Sequence, residues 1–134
     1  MTPAVGRSTP VNRFALTRAG YGLLQLACAP ALFRGADRSA ARAALRVLGL
    51  RQLVQAAATV SAPTPGVLGL GTGVDLLHAA SMAALAGVSR RYRGVALPET
   101  LAATALALAG TVAAGQAARQ ARVLTVPQPA SQSR

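Results

Sequence analysis

The chain has 134 residues, enough for one domain of about four helices. It is 52% hydrophobic yet 3% aromatic, about a quarter alanine, without lysine, isoleucine or tryptophan, and its formal charge is +11. A mean hydropathy of +0.40 excludes disorder over the whole chain, the lone Cys28 excludes an internal disulfide scaffold, and three acidic residues with one histidine are too few for most enzyme chemistries.

Residues 1–11, MTPAVGRSTPV, are predicted to form a flexible N-terminal tail. The first apolar segment covers 12–33. Its Phe14 and Phe33 stand nineteen residues apart, which is about 28 Å along a helix and close to the ~30 Å hydrocarbon thickness of a bilayer. Pro30 should distort its last turn without breaking it. Residues 34–42, RGADRSAAR, form a polar loop, and a second helix follows over 43–60. Ser61-Ala62-Pro63-Thr64-Pro65-Gly66 reads as a turn, with two prolines, a glycine and no charge. A third apolar segment covers 67–88, closed by Ser89-Arg90-Arg91-Tyr92-Arg93-Gly94. The fourth, 98–118, places Pro98 at a first helical position and Glu99 near the positive helix end. The remaining 119–134 ends in a Pro/Gln/Ser-rich stretch and is predicted to be a disordered tail.

The placement of arginine decides what the charge is for. Arg7, Arg13 and Arg18 flank the start, Arg34, Arg38, Arg42 and Arg46 the middle, Arg90, Arg91 and Arg93 the third gap, and Arg119, Arg122 and Arg134 the end. A nucleic-acid binder would gather such residues on one face with stacking aromatics between them, so no nucleic-acid partner is expected. Charges collected between apolar stretches are the pattern of a multi-pass membrane protein. The expected fold is therefore all-α, a four-transmembrane-helix bundle with antiparallel neighbours, spans near 12–33, 43–60, 67–88 and 98–118. A soluble four-helix bundle should show a charged face at helical spacing, and the fourth segment has none. Cleavage of a signal peptide at Ala27-Cys28-Ala29 would put Pro30 just after the cut, where proline is poorly tolerated, so a retained first helix is favoured.

Few residues could carry chemistry. Asp75 and His78 share one helical face at i and i+3, but the other metal-ligand types, Cys28, Asp37 and Glu99, are scattered over other segments, so no metal or cofactor is expected. Asp75, His78 and Ser81 lie within two turns of one helix, without a nucleophile elbow or oxyanion hole, so no catalytic triad is assigned and the chain is read as a non-enzyme. Gly69-Leu70-Gly71-Thr72-Gly73 lacks the spacing, lysine and preceding strand of a phosphate loop. Gly69 and Gly73, with Gly110 opposite, are instead expected to let helices pack closely. Arg38, Arg42 and Arg46 recur every fourth residue along one face. They and Arg90, Arg91 and Arg93 suit contact with anionic lipid headgroups.

Two stretches carry a family likeness: Arg46-Val47-Leu48-Gly49-Leu50-Arg51-Gln52-Leu53-Val54-Gln55 and Val74-Asp75-Leu76-Leu77-His78-Ala79-Ala80-Ser81-Met82. An R-x-x-G-x-R-x-x-x-Q helix followed by a D-x-x-H-x-x-S-M helix resembles small uncharacterised multi-pass proteins of high-GC actinobacteria. The likeness covers mainly 43–94. It implies a four-helix integral membrane protein without an established activity.

Arginine counting is nearly balanced, and the uncharged 61–66 turn tips the 34–42 and 89–94 loops to the cytoplasmic side of the cytoplasmic membrane. Three roles fit such a chain. They are a non-enzymatic scaffold or accessory subunit, in a homo-oligomer or larger membrane complex; a transporter or proton-coupled component; and, were the membrane reading wrong, a soluble basic binding protein. The sharpest expectation is internal. Arg51 precedes Ser61 by ten residues and Asp75 follows Gly66 by nine, so an antiparallel hairpin of segments two and three sets both about 14–15 Å from the turn. Level with each other in mid-membrane, they should pair. Gln55 should face the same interior, and His78, whose imidazole changes charge near neutral pH, should add a second partner for Asp75.

Overall fold

The structure, a computed structural model, describes residues 10–32 and 39–124. These form four helices: α1 (Pro10–Leu32), α2 (Ser39–Ser61), α3 (Pro65–Val88) and α4 (Arg93–Leu124). The molecule is all-α, with no strand among the described residues.

Local chemistry sets the helix ends. Pro10 opens α1, where a missing backbone N–H costs nothing, and Pro30 is carried inside its last turn. Thr64 is the N-cap of α3, with extended backbone (φ −89°, ψ 152°) and a hydroxyl that accepts from the Val67 N–H at 3.3 Å; Pro65 follows in the first turn. Ser89 ends α3, its N–H donating to the Leu85 carbonyl at 3.0 Å.

The fourth helix departs from expectation at both ends. It begins at Arg93, because the Tyr92 carbonyl accepts from Val95 N–H at 3.0 Å and Ala96 N–H at 2.8 Å and nucleates a turn ahead of the proline. Pro98 therefore lies inside the helix and not at its start. Six residues in, it forfeits only the bond to the Gly94 carbonyl, at an exposed end. At the other end the strong helix formers of Ala117-Ala118-Arg119-Gln120-Ala121-Arg122 carry α4 to Leu124, into the stretch expected to be tail. Arg122, in the last turn, is placed favourably against the negative helix end.

The helices pack as two hairpins. α1 lies along α2, and α3 along α4; α1 also touches α4, whereas α2 and α3 barely meet. The close hairpin expected of segments two and three is thus not formed, although the 62–64 turn joins them. Small residues decide where backbones can approach. A Cβ on Gly22 would stand 2.7 Å from the Gly49 carbonyl oxygen, and a Cβ on Gly49 2.7 Å from that of Gly22, so the glycines seat α1 directly on α2. Alanines line the α3–α4 seam, among them Ala79, Ala86, Ala103 and Ala107. Gly69 and Gly73 face open space, so their expected packing role is not met, while Gly110 of α4 packs against Thr72 and Phe14. An apolar cluster of Phe14, Leu68, Leu106, Ala113 and Ala117 fills the end near the 62–64 turn, and Ala29 with Leu45 the opposite end.

Candidate functional site

Between those two apolar clusters the interior is ionic. Asp75 of α3 is 0% exposed and Arg18 of α1 1%. Arg18 donates from Nη2 to Asp75 Oδ2 and from Nη1 to Gln55 Oε1 of α2. Arg51 of α2 donates from Nη2 to Asp75 Oδ1 at 2.5 Å, its side chain 22% exposed. One carboxylate therefore ties three helices together, an oxygen for each guanidinium. The Phe14 ring lies 4.8 Å from the Arg18 guanidinium and supplies a cation–π contact one turn earlier on α1.

A second polar group sits further along the bundle. Glu99 of α4 accepts from Tyr21 Oη at 3.2 Å and from Gln25 Nε2 at 3.1 and 3.2 Å, both on α1. His78 Nε2 of α3 stands 3.6 Å from Glu99 Oε2. Arg18, Tyr21 and Gln25 recur at i, i+3 and i+7, one face of α1, so a single helix stripe serves both groups. Both acidic residues among those described are buried here.

Several expected roles change. Arg51 and Asp75 do meet, and Gln55 is in the network, but through Arg18 and not through Arg51. His78 faces Glu99 instead of adding a partner to Asp75. Glu99 is held in the interior and does not serve as a charge at a helix start. The arginine pattern groups Arg18 with Arg7 and Arg13 at the start of the chain; its position inside the 12–33 apolar stretch is the signal that marks it as an interior charge. Of the arginines expected at headgroups, Arg38 lies outside the described residues, Arg42 is half-buried, and Arg46, Arg90, Arg91 and Arg93 are exposed. Arg91 lies 5.7 Å from the Tyr92 ring, and Arg93 Nε donates to the Ala86 carbonyl at 3.0 Å. Among the described residues no three His, Cys, Asp or Glu side chains gather where a metal could be held. Ser81 donates to its own helix at the Leu77 carbonyl, 2.8 Å away.

Because α2 stands off from α3, two clefts open along that seam. One, of about 300 Å³, lies toward the 62–64 turn and is lined by Arg18, Arg51, Gln55, Leu68, Gly71 and Val74. The other, of about 420 Å³, lies toward the opposite end, lined by Ala44, Leu48, Met82, Leu85, Tyr92 and Glu99. The Arg51–Asp75 bridge sits where one gives way to the other, the main link between α2 and α3 at mid-length.

The outer surface has the opposite character. Leu16, Leu23, Leu50, Val54, Leu70, Leu77, Leu101 and Leu108 are all more than half exposed, and every helix contributes. Two helices, over Pro65–Val88 and Arg93–Val123, are long and apolar enough to cross a membrane. No family model, curated protein or solved structure matches the chain.

Proposed function

We propose that this chain is an integral membrane protein whose four helices all span the cytoplasmic membrane, and that it serves as a non-enzymatic scaffold or accessory subunit. The observation that carries the reading is the inversion of polarity: Arg18, Asp75 and Glu99 are buried while large aliphatic side chains on all four helices are exposed. In water such a surface is an aggregation liability, whereas in hydrocarbon it is the expected exterior. α1 and α2 are less apolar than the two candidate spans because they carry Arg13, Arg42 and Arg46 nearer the helix ends and Arg18, Gln25, Arg51, Gln52 and Gln55 between them. The latter five lie within the bundle or at its α2–α3 seam and lower the hydropathy without meeting lipid. Each of the two is 23 residues long, about 34 Å, enough for a ~30 Å hydrocarbon core. Exposed arginines fall toward the ends: Arg46, Arg90, Arg91 and Arg93 on one side, Arg13, Arg119 and Arg122 on the other. There they meet anionic headgroups, with the start of α2 and the 89–92 turn on the cytoplasmic face; residues 39–42 and 93–94, expected in loops, belong to α2 and α4.

The scaffold role rests on the ion network, which fixes the register of α1, α2 and α3 against one another. A second reading, a transport or proton-coupled component, draws on the paired clefts on either side of Arg51–Asp75. Proton leak through proteoliposomes separates the two, the scaffold leaving an imposed gradient intact. Insertion itself is tested by washing native membranes at high salt and then at alkaline pH. The chain is expected to stay with the pellet through both washes; release into either would refute integral insertion.

A further inference from the structure

Among the described residues, the charges at the α1–α2–α3 junction do not balance. Arg18 and Arg51 bring two positive charges, Asp75 brings one negative, and the partner that completes the set, Gln55, is neutral. The other described acid, Glu99, is engaged with Tyr21, Gln25 and His78. Nε of both arginines is buried without a hydrogen-bond partner among the described residues. A buried, uncompensated charge is costly in any low-dielectric interior, and an anion nearby is what relieves it. The cleft of about 300 Å³ adjoins this excess, at the small end of the range for ligand sites, and apart from Arg18, Arg51, Gln55 and Thr59 its walls are apolar or glycine.

From this charge excess and its apolar cleft we propose that the site binds an amphiphilic monoanion, a carboxylate or phosphodiester head on an apolar body. The head lies against the partly exposed guanidinium of Arg51 with Arg18 behind it, and the body lies along Leu68, Leu70 and Val74. Such a ligand supplies the missing negative charge and fills the seam between α2 and α3. The site depends only on the charge count and the cleft, so it stands apart from the question of whether the helices cross a bilayer.

Two substitutions separate the charge from the space. Gln55→Glu is nearly isosteric and places a resident carboxylate on Arg18, so it should raise the melting temperature while weakening anion binding about tenfold or more. Gly71→Leu leaves every charge in place. A Cβ there would stand 3.8 Å from Arg18 Nη1 and 3.9 Å from Gln55 Nε2, an ordinary contact, and the rest of the side chain would occupy the cleft. The full chain in neutral detergent is titrated calorimetrically with octanoate, with acetate as the head alone and octanol as the tail alone. Saturable binding of octanoate, much weaker binding of acetate and octanol, and loss of octanoate binding in both variants are expected. The proposal is overturned if octanoate does not saturate, if octanol or acetate binds as well, or if either folded variant keeps wild-type affinity. Gln55→Glu melting below the wild type would contradict the charge excess itself.

Discussion

Removing the carboxylate of Asp75 would leave two guanidiniums facing each other in the interior, whereas removing Arg51 would leave Arg18 and Asp75 as a balanced pair. The two substitutions are therefore unequal. Asp75→Ala is expected to cost about 3–5 kcal/mol, the range for breaking a buried ion pair from one side, and Arg51→Ala about 1 kcal/mol, an ordinary single-site loss. The double variant should recover only part of the Asp75→Ala loss, since Arg18 stays buried without a carboxylate; the rest should return when Arg18→Gln is added. Thermal denaturation in detergent of the single, double and triple variants measures this, and strictly additive losses would mean that the three side chains do not share a site. The sequence alone makes the pairing of Arg51 with Asp75 legible, because equal distances from a Pro-Gly turn put them at one level. It does not make the third member legible. Arg18 looks like one more flanking arginine until the facing side of α1 is known, and which helix α1 packs on is a matter of tertiary contact.

At the scale of elements, glycines separate contact from mere composition. Gly69 and Gly73 have the spacing of a packing motif yet meet nothing, while Gly22 and Gly49, neither part of such a motif, hold two backbones together. Gly22→Ala or Gly49→Ala is expected to cost about 1–3 kcal/mol, since backbone and not a flexible side chain must give way. Gly69→Ala or Gly73→Ala should instead stabilise by about 0.5–1 kcal/mol, as removal of a helical glycine does in open space. Melting temperatures of the four variants decide between these directions, and equal effects at the two pairs would contradict the α1–α2 seating. Helix count and a turn within 61–66 follow from the punctuation of proline, glycine and charge, the turn narrowing to 62–64 because Ser61 closes α2 and Pro65 opens α3. The ends of α4 do not, because an apolar window sees neither the Tyr92 carbonyl that starts the helix nor the alanine and arginine that prolong it. Pairing of neighbours across a turn was the natural expectation for α2 and α3; the small-residue seams of α1–α2 and α3–α4 override it, and the gap that remains becomes the two clefts.

At the scale of the whole molecule, Arg18, Asp75 and Glu99 are buried while leucine and valine on every helix are exposed, and most of the described arginines are exposed nearer the helix ends. Composition points to this through uncharged stretches between arginines, but only the packing reveals that Arg18 and Gln25 of α1 and Gln52 of α2 turn inward. The proposed four spans carry a strict topological consequence: the 62–64 turn and the 89–92 turn must lie on opposite sides of the membrane, since α3 alone separates them. In a Cys28→Ala background, Thr64→Cys and Arg91→Cys are each labelled in intact cells with a membrane-impermeant thiol reagent, before and after permeabilisation. Thr64→Cys should react in intact cells and Arg91→Cys only after permeabilisation. The reverse order would keep four spans and turn the protein over, whereas labelling of both positions from the same side would contradict a membrane-spanning α3 and with it the four-span bundle.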